Sequence, residues 1–371
     1  MKINKINILF ILSSAFLFIA GALLSATGKI NYSRQLSRKL LVQPQVFNVQ
    51  AYGAVGDDKT DNTAAFSACI NAMIAAGGGR MFIPDGVYRG QIRIPPVSRP
   101  LRSWITLEIS GESEPAPVFG TIGNFPLQNR GTIIKCLKTD GGAVIKALSP
   151  GKEALYGGFS AVYVVIRNLD VRTYDNPSIS GIDLGDAMQC RLDNVFINTG
   201  VYSVQASKPT HATTGLVTPR TNNAALTILR NVAVTGYHTG ILVYEHTDAD
   251  NINIGSNIYG LDFAQSNHAS RFGRVCALRC TYSVSVTGAC GFLIQQLDIE
   301  RVGPNQSDAN NDWQTTISDV NDPDNLGVAD INYWVVIGGI GARDVFLKKG
   351  GASIQARRIG SPLLSNKEQG R

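Results

Sequence analysis

With 371 residues the chain can bury a sizeable core in one or two domains, and 38 glycines with only 17% charged residues suit turn-rich β structure. The formal charge of +6 comes from the two ends. Residues 1–44 and 343–371 carry more than the whole excess, so residues 45–342 are mildly acidic, which excludes a surface built for nucleic acid or a broad polyanion but leaves room for a local basic groove.

Residues 1–28 have the form of an export signal. Lys2 and Lys5 lead, Ile6 to Leu24 is apolar apart from Asn7, Ser13 and Ser14, and Ala26-Thr-Gly28 offers small residues for cleavage. Left uncleaved, the same run is long enough to anchor the chain in a membrane. No cysteine lies beside the cleavage site, against a bacterial lipoprotein. Residues 29–44 are basic and irregular and read as a linker. The expected location is secreted, periplasmic or on the cell surface.

Val46 to Tyr88 sets the frame of the chain. Val46 to Val49 alternates apolar and polar residues as a short strand, and Tyr52-Gly-Ala-Val-Gly-Asp-Asp58 breaks it with a turn. A helix is predicted next, capped by Asp61 or Asn62, with Phe66, Ile70 and Met73 or Ile74 on one face. Gly77-Gly78-Gly79 ends it, Arg80 to Pro84 is a strand, and Asp85-Gly86 turns into another at Val87-Tyr88. Turn and cap duties account for Asp57, Asp58 and Asp61 better than catalysis does. A strand, an amphipathic helix and a strand make a cap, which a solenoid needs to cover its open core and sheet edge.

Asn48-Val-Gln-Ala-Tyr-Gly-Ala-Val-Gly-Asp57, Thr60-Asp-Asn-Thr-Ala-Ala65 and Gly79-Arg-Met-Phe-Ile-Pro-Asp-Gly-Val-Tyr88 resemble the opening of the pectate lyase superfamily, the group shared by rhamnogalacturonase, epimerase-like and glycoside hydrolase family 28-related proteins. The resemblance implies an all-β, right-handed parallel β-helix over residues 45–350, with its cap at 45–90. It does not choose a reaction, because the group contains lyases, hydrolases, epimerases and phage tailspike domains.

Beyond the cap, Gln91 to Gly131 is read as the first coils with a proline-rich loop at 111–128, followed by strands at Gly131–Cys136 and Ala143–Ala147. A pattern of apolar, any, Asn or Gln, apolar, any, apolar then repeats. It appears at Ile166–Val171, Leu192–Ile197, Leu229–Val234 and Ile294–Ile299, with Gly240–Tyr244, Ile252–Ile254 and Tyr282–Val286 between. Asparagine at such a bend can take the left-handed conformation and bond to the next coil. Arg167, Asp193 and Arg230 precede the Asn in three copies and read as a charge ladder. Asn305 to Asn325 is a polar, acidic loop, Tyr333–Ile337 and Asp344–Leu347 are the last strands, and residues 351–371 form a basic tail. The cysteines at 69, 136, 190, 276, 280 and 290 permit disulfides in an exported chain, but burial near strands is the simpler role.

Neighbouring coils lie about 4.8 Å apart, a spacing that suits paired carboxylates cleaving a glycosidic bond. The pairs are Asp170 with Asp175, and Asp183 with Asp186 in Gly181-Ile-Asp-Leu-Gly-Asp186. Polygalacturonases of the wider group carry Asn-Thr-Asp, Asp-Asp, Gly-His-Gly and Arg-x-Lys. Here only Gly185-Asp186-Ala187 and Tyr237-His238-Thr-Gly240 come near, so Asp183, Asp186 and His238 stand as catalytic candidates on local chemistry, against turn or coil-stacking roles.

β-Elimination would instead need a base beside a uronate carboxylate and cations, or Ca²⁺, to neutralise it. Arg167 and Arg172 are the substrate-binding candidates for that, with Arg191 and Arg230 nearby, and Tyr244 and Trp313 are candidates to stack on sugar rings. Tyr244 to Asp250 concentrates acid, imidazole and phenol, but no metal-ligand motif stands out, and Ca²⁺ enters only with the lyase reading. The expected protein is an enzyme on an extracellular polysaccharide, a hydrolase first and a lyase second, with a non-catalytic glycan-binding or adhesion solenoid as the rival. A homo-oligomer is compatible with the sequence, and a membrane enters only through an uncleaved N-terminus.

Overall fold

The computed structural model describes residues 44–97, 104–115, 130–149, 161–199, 211–220, 226–244, 246–263, 270–278, 280, 282–286, 292–300, 328–337 and 353–358. The export signal, most of the linker, Cys290, the loop at 305–325 with Trp313, and Asp344–Leu347 lie outside them. Among the described residues no helix is long and apolar enough to cross a membrane.

The chain from Val46 onward forms its own unit. In order its elements are β1 (Val46–Asn48), β2 (Asp57–Asp61), α1 (Thr63–Ala75), β3 (Gly79–Ile83), β4 (Gly86–Arg89), β5 (Ile92–Ile94), β6 (Ile105–Gly111), β7 (Thr132–Lys135) and β8 (Ala143–Ala147). Then come β9 (Val162–Arg172), β10 (Ser180–Asp183), β11 (Gln189–Asn198), β12 (His211–Val217), β13 (Thr227–Thr235), β14 (Tyr237–Val243), β15 (Thr247–Gly255) and β16 (Tyr259–Phe263). β17 (Ser270–Leu278), β18 (Tyr282–Val286), β19 (Phe292–Glu300), β20 (Val328–Ile337) and β21 (Ser353–Arg358) complete the series.

From β9 to β19 the chain alternates between two sheets. Odd strands pair in the order β9-β11-β13-β15-β17-β19 and even strands in the order β10-β12-β14-β16-β18, every pair parallel. This is the expected parallel β-helix. β21 pairs with β20, so Ser353–Arg358 is a strand inside the stretch expected to be a tail.

The cap follows from its sequence. Asp61 Oδ1 accepts the Thr63 N–H at 2.9 Å and opens α1. Asn62 does not cap; it is buried, accepts the Val55 N–H at 2.7 Å and donates to Thr60 O at 2.8 Å, pinning the turn before the helix. Ala65, Phe66, Cys69, Ile70 and Met73 are buried on one face of α1. Each large side chain removed from water there contributes about 1.5–3 kcal/mol. α1 stops at Gly77–Gly79, all at positive φ, and a Cβ on Gly78 would stand 2.7 Å from Thr106 O. Asp57 accepts the Lys59 and Thr60 N–H groups, a turn role, whereas Asp58 belongs to an ion network with Arg89 at 2.9 Å and Lys135 at 3.3 Å.

Each long strand bends at an asparagine. Asn168, Asn194 and Asn231 sit at φ 52 to 54°, and Asn251, at φ 52°, extends the series. Their amides form a ladder: Asn231 Nδ2 donates to Asn194 Oδ1 at 2.9 Å, and Asn251 Nδ2 to Asn231 Oδ1 at 2.8 Å. Gln296, expected as a further copy, pairs in register with Arg274. Inside, Ile166, Leu192 and Leu229 stack on the same row, all fully buried. The second sheet carries a column of glycines. A Cβ on Gly181, Gly215, Gly240 or Gly260 would lie 2.5–2.9 Å from the carbonyl oxygen of the next coil, so the column lets the coils close on one another.

Candidate functional site

On the second sheet Arg93, Lys146, Asp183, Val217, Leu242 and Asp262 share one row across β5, β8, β10, β12, β14 and β16. Ile182 fills the core, so alternation turns Asp183 outward, where it is half-buried. Asp183 Oδ1 accepts the Gly185 N–H at 3.0 Å, and its carboxylate lies 3.6 Å from Lys146 Nζ and 3.9 Å from Arg220 Nη2.

Two glycines shape this cluster. Gly142, at φ +77°, leaves open a point that lies 3.9 Å from both Arg93 Nη2 and Lys146 Nζ, so two cations converge over one turn. Gly185 lets Arg220 lie flat, since a Cβ there would meet Arg220 Nε at 2.7 Å. Arg220 also stands 5.7 Å over the ring centre of Tyr244. Arg93 donates to Gly141 O and Ala143 O at 2.7 Å each; burial lowers its pKa from the ordinary guanidinium value, with Asp140 and Asp183 acting the other way. Burial also raises the Asp140 carboxyl, against the Leu137 N–H that it accepts at 2.6 Å. Asp186, in the turn after Asp183, is half-buried and makes no hydrogen bond or ion pair with another described residue.

The structure therefore brings Asp183, Asp186 and Tyr244 to one end of the sheet. His238 stands apart, two strands over from Asp183 and four residues back from Leu242 on the shared row. At about 3.3 Å per residue and 4.8 Å per strand that is about 16 Å, too far for both to act on one bond. The His238 ring packs edge-on against Tyr259, centroids 5.2 Å apart, with Nδ1 3.3 Å from Thr239 Oγ1.

The arginine candidates lie on the other sheet. Arg167, Asp193 and Arg230 stand in register as expected, but their ion pairs go elsewhere: Arg167 Nε is 3.9 Å from Glu108, Asp193 3.2 Å from Arg191 and Arg230 2.6 Å from Asp248. Arg172 is buried: its Nε and Nη2 meet Asp170 Oδ2 at 2.8 and 2.7 Å, and Asn198 donates to Asp170 Oδ1 at 2.6 Å. That geometry gives Arg172 and Asp170 a structural role. Asp175 is likewise held by Arg89 at 2.6 Å. Of the acids in Tyr244–Asp250, Glu245 lies outside the described residues and the other two serve the coils, with Asp248 bound to Arg230 and Arg271, and Asp250 Oδ1 accepting the Asn251 and Arg274 N–H groups.

Among the described residues no three His, Cys, Asp or Glu side chains gather as a metal site. Cys69, Cys136, Cys190 and Cys280 are buried thiols without disulfides, pushed by burial up to about 12, 11, 12 and 12.

Sequence reasoning missed Lys146, Arg93 and Arg220, because no motif joins them. The available signal was local: Gly141-Gly142 before a short apolar strand in which Lys146 is the one charged residue and the one not buried.

A family model described as Rhamnogalacturonase A/epimerase, pectate lyase-like matches residues 46–271. Mannuronan C5-epimerase AlgE1 of Azotobacter vinelandii is 43% identical over 60 residues, 16% of this chain and 4% of that protein. Alginate lyase 7 of the same organism is 51% identical over 43 residues, 12% of this chain and 5% of that protein. The chain thus spans under a tenth of the length of these relatives. Among solved structures, ORF18 of Geobacillus virus E2 aligns with a TM-score of 0.49 at 15% identity, covering 92% of this chain and 65% of that one. The AlgE4 A-module of Azotobacter vinelandii aligns with a TM-score of 0.37 at 14% identity, covering 85% and 100%.

Proposed function

The chain belongs to the rhamnogalacturonase A/epimerase, pectate lyase-like family, and on that basis we propose that it binds an acidic polysaccharide on the outer face of its second sheet and removes the proton beside a uronate carboxylate. The observation that carries this reading is the convergence of Arg93 and Lys146 over Gly142, with Arg220 across Asp183. Two cations at one point suit an anion, and a sugar carboxylate placed there would have its charge neutralised, which makes the adjacent C5–H bond easier to ionise. Lys146 Nζ is the group at this point suited to carry the proton: as the free amine it takes the proton from C5 while Arg93 holds the carboxylate, and as the ammonium it gives the proton up again. From the C5 carbanion, breaking the C4–O bond gives a C4=C5 double bond and a protonated leaving oxygen. Reprotonation on the opposite face gives the C5 epimer. The names of the locally similar epimerases and lyase favour a uronate substrate on this chain as well.

Hydrolysis is the second reading, and Asp186 favours it as a half-buried carboxyl beside Asp183. Asp183 itself is a weaker candidate, because its oxygens already face Lys146, Arg220 and the Gly185 N–H. We place the activity outside the cytoplasm on the strength of the apolar run at Ile6–Leu24.

The test incubates the protein with polyuronates and neutral glycans, with and without Ca²⁺, following ultraviolet absorbance, reducing ends and C5 configuration by NMR. Unsaturated ends or a changed configuration are expected from a polyuronate, with Lys146→Ala lowering kcat at least about a hundredfold at unchanged melting temperature. Reducing ends without absorbance would move the assignment to hydrolysis. Retention of glycan with no product would make the protein a binder.

A further inference from the structure

The outer face of the first sheet carries a second open surface on its N-terminal coils. Ile105 pairs with Val162, Tyr163 with Gln189 and Val165 with Arg191, so Trp104, Tyr163, Arg191 and Arg167 hold successive outward levels across β6, β9 and β11. At two residues per level the steps are about 6.6 Å and the whole run about 20 Å. An indole and a phenol occupy one end and two guanidiniums the other. All four are open to a ligand: Trp104 is 51% exposed, the Arg167 and Arg191 side chains are 40% and 36% exposed, and Tyr163 is half-buried.

Their polar atoms are largely unspent. Elsewhere on this face the arginines are occupied: Arg230 donates to Leu229 O, Asp248 O and Asp248 Oδ2, Arg271 to Asp248 and Gln295, and Arg80 to Ser110 Oγ. Arg167 makes no hydrogen bond with another described residue, and its one ion pair is with Glu108 at 3.9 Å, a carboxylate that also lies 3.7 Å from Arg80. Arg191 gives one N–H to Asp193 at 3.2 Å. The Trp104 N–H and the Tyr163 hydroxyl make no hydrogen bond with another described residue. Burial and the neighbouring Cys190 raise the Tyr163 phenol, and the charges of Arg191 and Arg167 act the other way, which puts both guanidiniums within electrostatic reach of it.

We infer that this surface binds a strand of acidic polysaccharide, outside the Asp183 face and without chemistry of its own. Trp104 takes the C–H face of a sugar ring, the Tyr163 hydroxyl bonds to ring hydroxyls, and Arg167 and Arg191 donate to carboxylates further along the strand. An aromatic end and a cationic end together ask for sugar rings and negative charge in one ligand. A neutral glycan meets only the first demand and an inorganic anion only the second.

The experiment is calorimetry and tryptophan fluorescence on the Lys146→Ala chain, which removes turnover of the ligand, with a hexamer of mannuronate and with mannohexaose as its uncharged counterpart. The mannuronate hexamer is expected to bind and to shift the Trp104 emission, and mannohexaose to bind at least about tenfold more weakly. Adding Arg167→Ala or Trp104→Ala should each weaken the hexamer about tenfold at unchanged melting temperature. The inference is overturned if the hexamer does not bind at millimolar concentration, if mannohexaose binds as tightly, or if either added substitution leaves binding as it was. A wild-type chain that forms no product from a polyuronate while these binding losses hold would refute the reaction at Lys146 and leave this site standing, so the two failures are read apart.

Discussion

Asp170 and Asp183 are both aspartates on outward rows of the coils, and both meet arginine. Asp170 has a side chain 5% exposed, held at 2.7 Å by an Arg172 that is itself 8% exposed. Asp183 is 16% exposed, with Lys146 and Arg220 at 3.6 and 3.9 Å and 31% and 46% exposed. The same residue types therefore make a closed assembly in one place and an open one in the other. In the closed pair the charges have lost water and depend on each other, so its worth lies in the fold. In the open cluster the cations keep unspent hydrogen-bonding capacity, so a ligand can take it up.

Removing one partner from each assembly should separate them most widely. Arg172→Ala strands a buried carboxylate and is expected to cost about 3–5 kcal/mol in denaturant unfolding. Asp183→Asn keeps an oxygen for the Gly185 N–H and should change stability by no more than about 1 kcal/mol while altering turnover. Equal losses from the two variants would show that burial does not separate them.

The asparagine ladder separates backbone strain from hydrogen bonding. Asn231 holds φ 53° and bonds to both neighbouring rungs. Asn231→Ala should lose about 2–3 kcal/mol, the left-handed penalty together with the ladder bonds. Asn231→Gly removes the steric part and should lose about 1 kcal/mol less, read from the urea midpoint. If alanine and glycine behave alike, the left-handed conformation is not what selects asparagine here.

Those rungs were the most legible part of the sequence. Asn168, Asn194 and Asn231 announced themselves because one residue does two things there, turning the chain and bonding to the next coil, and so leaves a fixed pattern. Asn251 escaped although Ala249-Asp-Asn-Ile-Asn-Ile254 fits the same pattern, with alanine in the inward place that isoleucine or leucine holds elsewhere. Gly181, Gly215, Gly240 and Gly260 were scattered singles until the coils stacked them. The Asp183 cluster was half visible. Asp183 and Tyr244 stand out by residue type, but Lys146 and Arg220 reach Asp183 from other turns of the solenoid, and loop lengths of unequal size hide that register. Arg172 looked available in sequence, and only the close approach of Asn198 and Asp170 shows that it is enclosed.

The ion pairs of Asp248 on the first sheet sit between the two extremes, and pH can place them. Asp248 is 39% exposed and lies 2.6 Å from Arg230 and 3.2 Å from Arg271. Burial works to raise its pKa, but the hydrogen bonds and charges of the two guanidiniums outweigh it and hold the carboxyl below its ordinary value. A carboxylate depressed in the folded state contributes stability above its unfolded pKa of about 3.9, and that contribution is lost as pH falls through the lower folded value. Solvent screening at this exposure limits it to less than about 1 kcal/mol. Urea midpoints at neutral pH and near pH 3 should therefore fall less in Asp248→Asn than in the wild type. An unchanged fall would mean that the Arg230 and Arg271 contacts are as dispensable as those of a free surface pair, and that enclosure alone sets which charges on this solenoid hold it together.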